Sequence, residues 1–287
     1  MRLNKNIKIF LNYFFGPLLF LWLSWSIYNQ IRHQSNLSLS WKRITESFHS
    51  PLAWNLVFVI LLMIVNWGIE SLKWKLAISK IQRVGFTKAF MAVLSGVSFS
   101  VSTPNRVGEY LGRVLYMDEG NRLRAISLSI ICSMSQLIVT LCMGVIGLLA
   151  LMPKISASEL GSGLWVKVLF YGVIAVLIVL TVFYFRLSWL VKWIDRIPGI
   201  SRYAYLVNAV EKVHATMLLQ LLSLSVIRFL VFGIQYYLLF RLFGVELEWW
   251  QGFWAISVTF LVLAIIPTIA LIEVVQRSTV ALKFSGC

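Results

Sequence analysis

Six apolar runs, at residues 7–28, 51–72, 125–151, 164–186, 216–241 and 249–271, dominate the chain. Each is long enough, as a helix, to cross a hydrocarbon layer of about 30 Å. A soluble domain would have to hide all six, yet only 13% of the 287 residues are charged while 59% are apolar. An ordinary soluble protein carries about 25% charged residues, and a surface this poor in charge would expose apolar patches larger than monomers tolerate in water. The expected fold class is therefore all-α: a polytopic membrane helix bundle of about six spanning helices with one or two re-entrant or broken helices, forming a single integral membrane domain over residues 1–287.

The net charge of +15 would suggest a nucleic-acid partner in a soluble chain. Here the basic residues gather between alternate runs. Lys73, Lys75, Lys80, Arg83 and Lys88 follow the second, and Arg186, Lys192, Arg196, Arg202 and Lys212 follow the fourth. The opposite connections hold Arg32, Lys42 and Arg43 with Glu46, then Lys154 with Glu159, then Glu246 and Glu248. This asymmetry follows the positive-inside rule, so no nucleic-acid partner is expected and the N-terminus is placed in the cytoplasm. The first run follows Arg2, Lys5 and Lys8 but lacks a small-x-small cleavage site, so it is expected to stay attached as a signal anchor. Cys132 and Cys142 stand ten residues apart in one run, about 15 Å along a helix, out of disulfide range and read as packing residues.

Alternation of the loops holds only if residues 87–124 do not cross. Their apolar part, 89–101, is too short to span and gives way to Ser102-Thr103-Pro104-Asn105-Arg106, which predicts a re-entrant hairpin. Backbone of this kind is tolerated at membrane depth only where protein or a wet cavity covers it. Thr103 suits an N-cap and Pro104 the first helical position. At helical spacing Arg106, Glu109 and Arg113 share a face, while Gly108 and Gly112 form a small strip open to close helix approach. Free N–H groups at such a helix start favour a phosphate. Arg106 and Arg113 are thus candidates to hold a lipid phosphate, with Glu109 orienting Arg113 or meeting a headgroup amine; the alternative is a structural Glu109–Arg113 pair that pins the hairpin.

A second polar break carries Pro267, Glu273 and Arg277 and echoes the first in its proline, its Glu and the Arg four residues on. Paired breaks in two halves point to a midplane site in repeat-built transporters, so a two-half repeat broken near 100–113 and 266–277 is an expectation. Other polar residues that share the site by spacing are Asn66 and Glu70, then Ser225, Arg228 and Gln235; Ser129, Ser133, Gln136 and Thr140 read rather as helix-to-helix glue. Glu70, close to Lys73 and Trp74, is equally explained by ion pairing and snorkelling at an interface. Trp22, Trp25, Trp41, Trp54, Trp249 and Trp250 read as interfacial belts. No Walker A, no G-x-S-x-G and no ligand-spaced histidines occur, His33, His49 and His214 standing apart. No metal and no cofactor is expected.

Residues 103–113, Thr-Pro-Asn-Arg-Val-Gly-Glu-Tyr-Leu-Gly-Arg, resemble the flippase-like membrane family of the lysylphosphatidylglycerol synthetase transmembrane region. Residues 66–75, Asn-Trp-Gly-Ile-Glu-Ser-Leu-Lys-Trp-Lys, are similar to its second-span signature, and residues 228–237 to its later Arg-to-Gln helix. The resemblance implies a bacterial inner-membrane protein that moves or binds a phospholipid or related charged lipid between leaflets. Its partners would be membrane lipids, with a second copy of the chain or a separate lipid-modifying enzyme beside them. Relatives carry a soluble aminoacyl-transfer domain; nothing in this chain matches it, so synthetase activity is not carried over. The chain departs from the family at Asn105, where Gly is usual, and at Val274, Val275 and Gln276, where small residues are usual, and it stops at Cys287 in what reads as the opening of another helix, as a truncated or altered end would. The competing reading is a membrane-embedded transferase or accessory subunit for glycolipid or polyprenyl-linked substrates, with Glu70, Glu109 or Glu273 as general base.

Overall fold

A computed structural model describes residues 53–101, 107–157, 164–186, 213–245 and 247–265, with Trp25, Lys42 and Thr45 besides. The described residues are helical and contain no strand. Their helices are α1 (Ala53–Ile78), α2 (Phe86–Val101), α3 (Gly108–Val114), α4 (Arg122–Ala157), α5 (Leu164–Phe185), α6 (Ala215–Leu242) and α7 (Trp249–Ile265), with a 3-10 turn at Glu119–Asn121 before α4. The chain divides into two compact units, Met1–Ala53 with Leu242–Gly244, and Trp54–Arg241 with Val245–Cys287. Nearly all described residues belong to the second, and the following concerns that unit.

Three helices, α1, α4 and α6, are long and apolar enough to cross a membrane; α2, α5 and α7 contribute shorter apolar lengths. The expected first span lies outside the described residues. Two expected boundaries move. α1 continues past residue 72 to Ile78, because Trp74, Ala77 and Ile78 are core residues. α4 runs through Pro153 to Ala157, six residues beyond the expected end, as prolines in membrane helices permit.

The segment expected to re-enter is a helical hairpin. α2 and α3 lie against each other at Gly96 and Gly112, where a Cβ on Gly112 would sit 2.6 Å from Gly96 Cα. Nothing larger than glycine fits that crossing. Ser95 and Tyr116 share a 3.0 Å hydrogen bond beside it. The two feet of the hairpin are joined: Asn121 Nδ2 donates to Ile81 O at 3.3 Å, and the Asp118 amide donates to Gln82 Oε1 at 3.2 Å. The end of α1 and the start of α4 therefore lie together, and the hairpin leaves and returns at one end of the unit.

Buried side chains fall into patches that link α4 to every neighbour. Ala77, Leu128, Cys132, Tyr184 and Leu221 join α1, α4, α5 and α6, and Leu141, Leu148, Val258 and Leu261 join α4 to α7. Cys132 is buried as expected of a packing residue, whereas Cys142 is exposed on the helix surface. The outward faces remain apolar. Phe58, Leu61, Ile64 and Val65 of α1 and Tyr171, Val176, Ile178 and Val179 of α5 are exposed, a surface suited to hydrocarbon and not to water. α6 ends in a Schellman turn, with Gly244 at φ 72° and the Val245 amide donating to Phe240 O at 2.9 Å.

Candidate functional site

Asn66, Glu70 and Lys73 recur at four- and three-residue intervals, so one face of α1 carries them together. All three are buried, as are Arg113 of α3 and Ser225 of α6. Burying one such charge in apolar surroundings is costly unless it is paired and hydrogen-bonded, and this site pairs them all through Glu70. Glu70 Oε1 accepts from Arg113 Nη2 at 2.8 Å, and Oε2 accepts from Arg228 Nη1 at 2.6 Å. Lys73 Nζ stands 3.6 Å from Oε2. One carboxylate thereby ties α1 to the hairpin and to α6.

The remaining donors find mostly neutral partners. Arg228 Nε donates to Asn66 Oδ1 at 2.8 Å, and its guanidinium lies 5.4 Å from the centre of the Phe232 ring. Lys73 Nζ donates to Ser225 Oγ at 3.0 Å, and Ser225 shares a 2.9 Å hydrogen bond with Ser135 of α4. Arg113 also pairs with Glu109, one turn earlier on α3. Among the described residues the cluster thus holds three cations against two carboxylates.

Two buried donors of the cluster are left without a hydrogen-bond acceptor, Arg113 Nε and Asn66 Nδ2; a third such donor, Trp254 Nε1, lies on α7. The orientation of the Asn66 amide is fixed, because a guanidinium can only donate and so must face the amide oxygen. Buried N–H groups of this kind are rare in folded proteins. An excess positive charge and two unfilled donors in one cluster are what an anionic oxygen would satisfy.

The expected site residues are thus distributed unevenly. Glu70, Glu109, Arg113 and Arg228 come together. Gln235 does not join them: it donates to Val59 O at 3.2 Å, seven residues beyond Arg228, about 10 Å along the helix. Gly112 provides the close approach to α2, and Gly108 is buried on the same helix. Thr103, Pro104, Arg106, Pro267, Glu273 and Arg277, and with them the second break, lie outside the described residues. The described helix α3 begins at Gly108 with no side-chain cap, Val107 already holding helical angles.

The polar stripe of α4 acts as glue where it has partners. Ser129 Oγ accepts from Trp74 Nε1 at 3.0 Å, and Ser133 Oγ accepts from Tyr110 OH at 3.1 Å; Thr140 bonds back to Gln136 O on its own helix. Lys73 pairs with Glu70 as one reading expected, but it and Trp74 lie within α1 and are packed against protein, neither more than 1% exposed, so Lys73 is not a loop residue. A hydropathy reading places Lys73 in a loop because it is charged, whereas Glu70 and Ser225 supply the partners that let it stay inside. Its spacing from Asn66 and Glu70 was the available signal. Ser135 offered none, since its role depends on a residue 90 positions away. Among the described residues no group of three or more His, Cys, Asp or Glu could hold a metal ion.

An apolar-surfaced helical bundle with a largely buried ion cluster defines a polytopic integral membrane protein with an internal polar site. The family model described as Lysylphosphatidylglycerol synthase TM region matches residues 13–283, and the chain belongs to that family. No curated protein and no solved structure matches it.

Proposed function

We propose that the chain binds the anionic headgroup of a phospholipid, or of a related charged lipid, at the cluster of Asn66, Glu70, Lys73, Arg113 and Arg228, and moves it between the leaflets of a bacterial inner membrane. The observation that carries this reading is the imbalance of the cluster: three cations to two carboxylates among the described residues, with Arg113 Nε and Asn66 Nδ2 buried and unfilled. A headgroup phosphate brings the missing charge and acceptors while its acyl chains stay in lipid. Arg113 suits this role because its planar fork serves a carboxylate and a phosphate together. Arg106, Glu273 and Arg277 extend the same site in this reading. The N-terminus faces the cytoplasm, as the basic loops favour, and a second copy or a lipid-modifying enzyme is the protein partner to seek. The transferase reading needs a carboxylate free to take a proton; both oxygens of Glu70 are engaged, which leaves Glu109 as its candidate base among the described residues.

The test is a leaflet-accessibility assay in proteoliposomes with fluorescent phospholipids of several headgroups. The Arg113→Lys variant keeps the charge but removes Nε and the fork, and its transfer rate is expected to fall about tenfold, as losing a charge-assisted hydrogen bond would produce. Headgroup-independent transfer, or unchanged transfer in a correctly inserted variant, would overturn the proposal. A chemically altered lipid in the products would favour the transferase instead.

A further inference from the structure

Glu70 and Glu109 both hold Arg113, but their situations differ. Glu70 is met by Arg113 at 2.8 Å, Arg228 at 2.6 Å and Lys73 at 3.6 Å, and its side chain is 6% exposed. Glu109 has Arg113 as its one charged partner among the described residues, and its side chain is 21% exposed. It is also the only carboxylate of the cluster carried by the hairpin. Its backbone and stem are held in place: a Cβ on Gly96 would lie 2.8 Å from Glu109 O and 3.3 Å from Glu109 Cγ. Beyond Cγ the carboxylate is left to swing about the Cβ–Cγ bond and to turn about Cγ–Cδ, a soft torsion.

We propose that Glu109 is an internal stand-in for the lipid phosphate, occupying the guanidinium of Arg113 in the empty site and being displaced when an anionic headgroup arrives. This rests on the reading of the cluster as a headgroup site and adds how the site is regulated. Among the described residues, displacement from Glu109 breaks one ion pair, whereas displacement from Glu70 would disturb its pairing with Arg228 and Lys73 as well, so the entering anion exchanges with Glu109. In the empty site Arg113 thereby keeps a carboxylate of its own while Glu70 serves Arg228 and Lys73. A further consequence is that Glu109 competes with the ligand, so neutralising it strengthens binding instead of weakening it.

The test titrates the full-length chain in a nonionic maltoside detergent by calorimetry. The probes are dihexanoyl phosphatidylglycerol and, separately, inorganic phosphate, and the proteins are wild type, Glu109→Gln and Arg113→Lys. The expected result is that Glu109→Gln binds the lipid about tenfold more tightly than wild type, the scale of one lost charge-assisted competitor, while Arg113→Lys binds more weakly. A matching gain with inorganic phosphate assigns the effect to the phosphate alone; a gain confined to the lipid assigns it to the whole headgroup. Equal or weaker binding by Glu109→Gln, with wild-type binding intact, overturns the stand-in role and leaves the headgroup site standing. No binding of either probe by folded wild type overturns both. A packing defect is expected to lower affinity, so a gain in Glu109→Gln reports the lost carboxylate.

Discussion

The seam between α4 and α7 and the junction of α1 with α3 and α6 are built from similarly apolar helices, yet they are held together by opposite means. The α4–α7 seam is closed by small residues and carries no ion pair among the described residues. Gly144 meets Leu261, Gly147 meets the Trp254 carbonyl and Ser257, and Ser257 and Thr259 donate to carbonyls of their own helix at 2.9 and 2.8 Å. The other junction has few such contacts at its centre and is closed by Glu70 through ion pairs to Arg113, Arg228 and Lys73. In lipid the first kind of contact already gives association, through packing of small residues. A buried ion cluster is a poor way to gain stability, since its desolvation offsets much of its attraction. The difference teaches that the charges of the α1–α3–α6 junction add little to helix association, which is the ground for proposing that they bind a ligand.

Five substitutions sharpen that comparison. Glu70→Ala takes the carboxylate from Lys73 and Arg228 and leaves Arg113 with Glu109 alone, and it should have the largest effect, a loss of about 3–5 kcal/mol, seen as a collapse of the melting temperature and of the yield of monodisperse protein. Gly112→Ala and Gly144→Ala each force a Cβ into occupied space, 2.6 Å from Gly96 Cα and 2.5 Å from Leu261 Cβ respectively. Each should destabilise by about 1–3 kcal/mol. They should part in function: Gly112→Ala shifts Arg113 with the hairpin and loses lipid transfer by the folded fraction, whereas Gly144→Ala leaves transfer per folded molecule unchanged. Equal transfer by the two variants would break the division of labour.

Gly68→Ala meets no atom within 4 Å. It should stabilise α1 by about 0.5–1 kcal/mol through the better helix propensity of alanine, visible as a small rise in melting temperature. The smallest change is expected of Ser129→Ala, which takes the acceptor from Trp74 Nε1. Hydrogen bonds between membrane helices average about 0.6 kcal/mol, so thermal unfolding should move slightly and lipid transfer should not.

Much of this was legible from residue order. The hairpin was legible because residues 89–101 are too few to span and the Gly108, Gly112 strip announces a close crossing, although Gly96, its counterpart, attracts no notice in a linear reading. Glu109 and Arg113 were legible as a pair from their spacing of four. Arg228 was legible as a charge needing a partner, but not the partner itself, for Glu70 lies 158 residues away. Gln235 was misleading in the same way: it shares a face with Arg228 yet bonds to Val59 O instead. Lys73 was misread because hydropathy scores a charge as exposed unless its partner is known.

Sequence by itself determined that this chain is a helical membrane protein with ionisable residues in its apolar segments, because the number and length of apolar runs leave the backbone no other way to satisfy its hydrogen bonds in lipid. It also set which residues share a helical face. Tertiary structure alone decided that Glu70 is the common partner of Arg113, Arg228 and Lys73, and that Arg113 Nε and Asn66 Nδ2 remain unfilled. Helical periodicity acts over a few residues, whereas a buried charge is satisfied by whichever neighbours the packing of distant helices brings within about 3 Å.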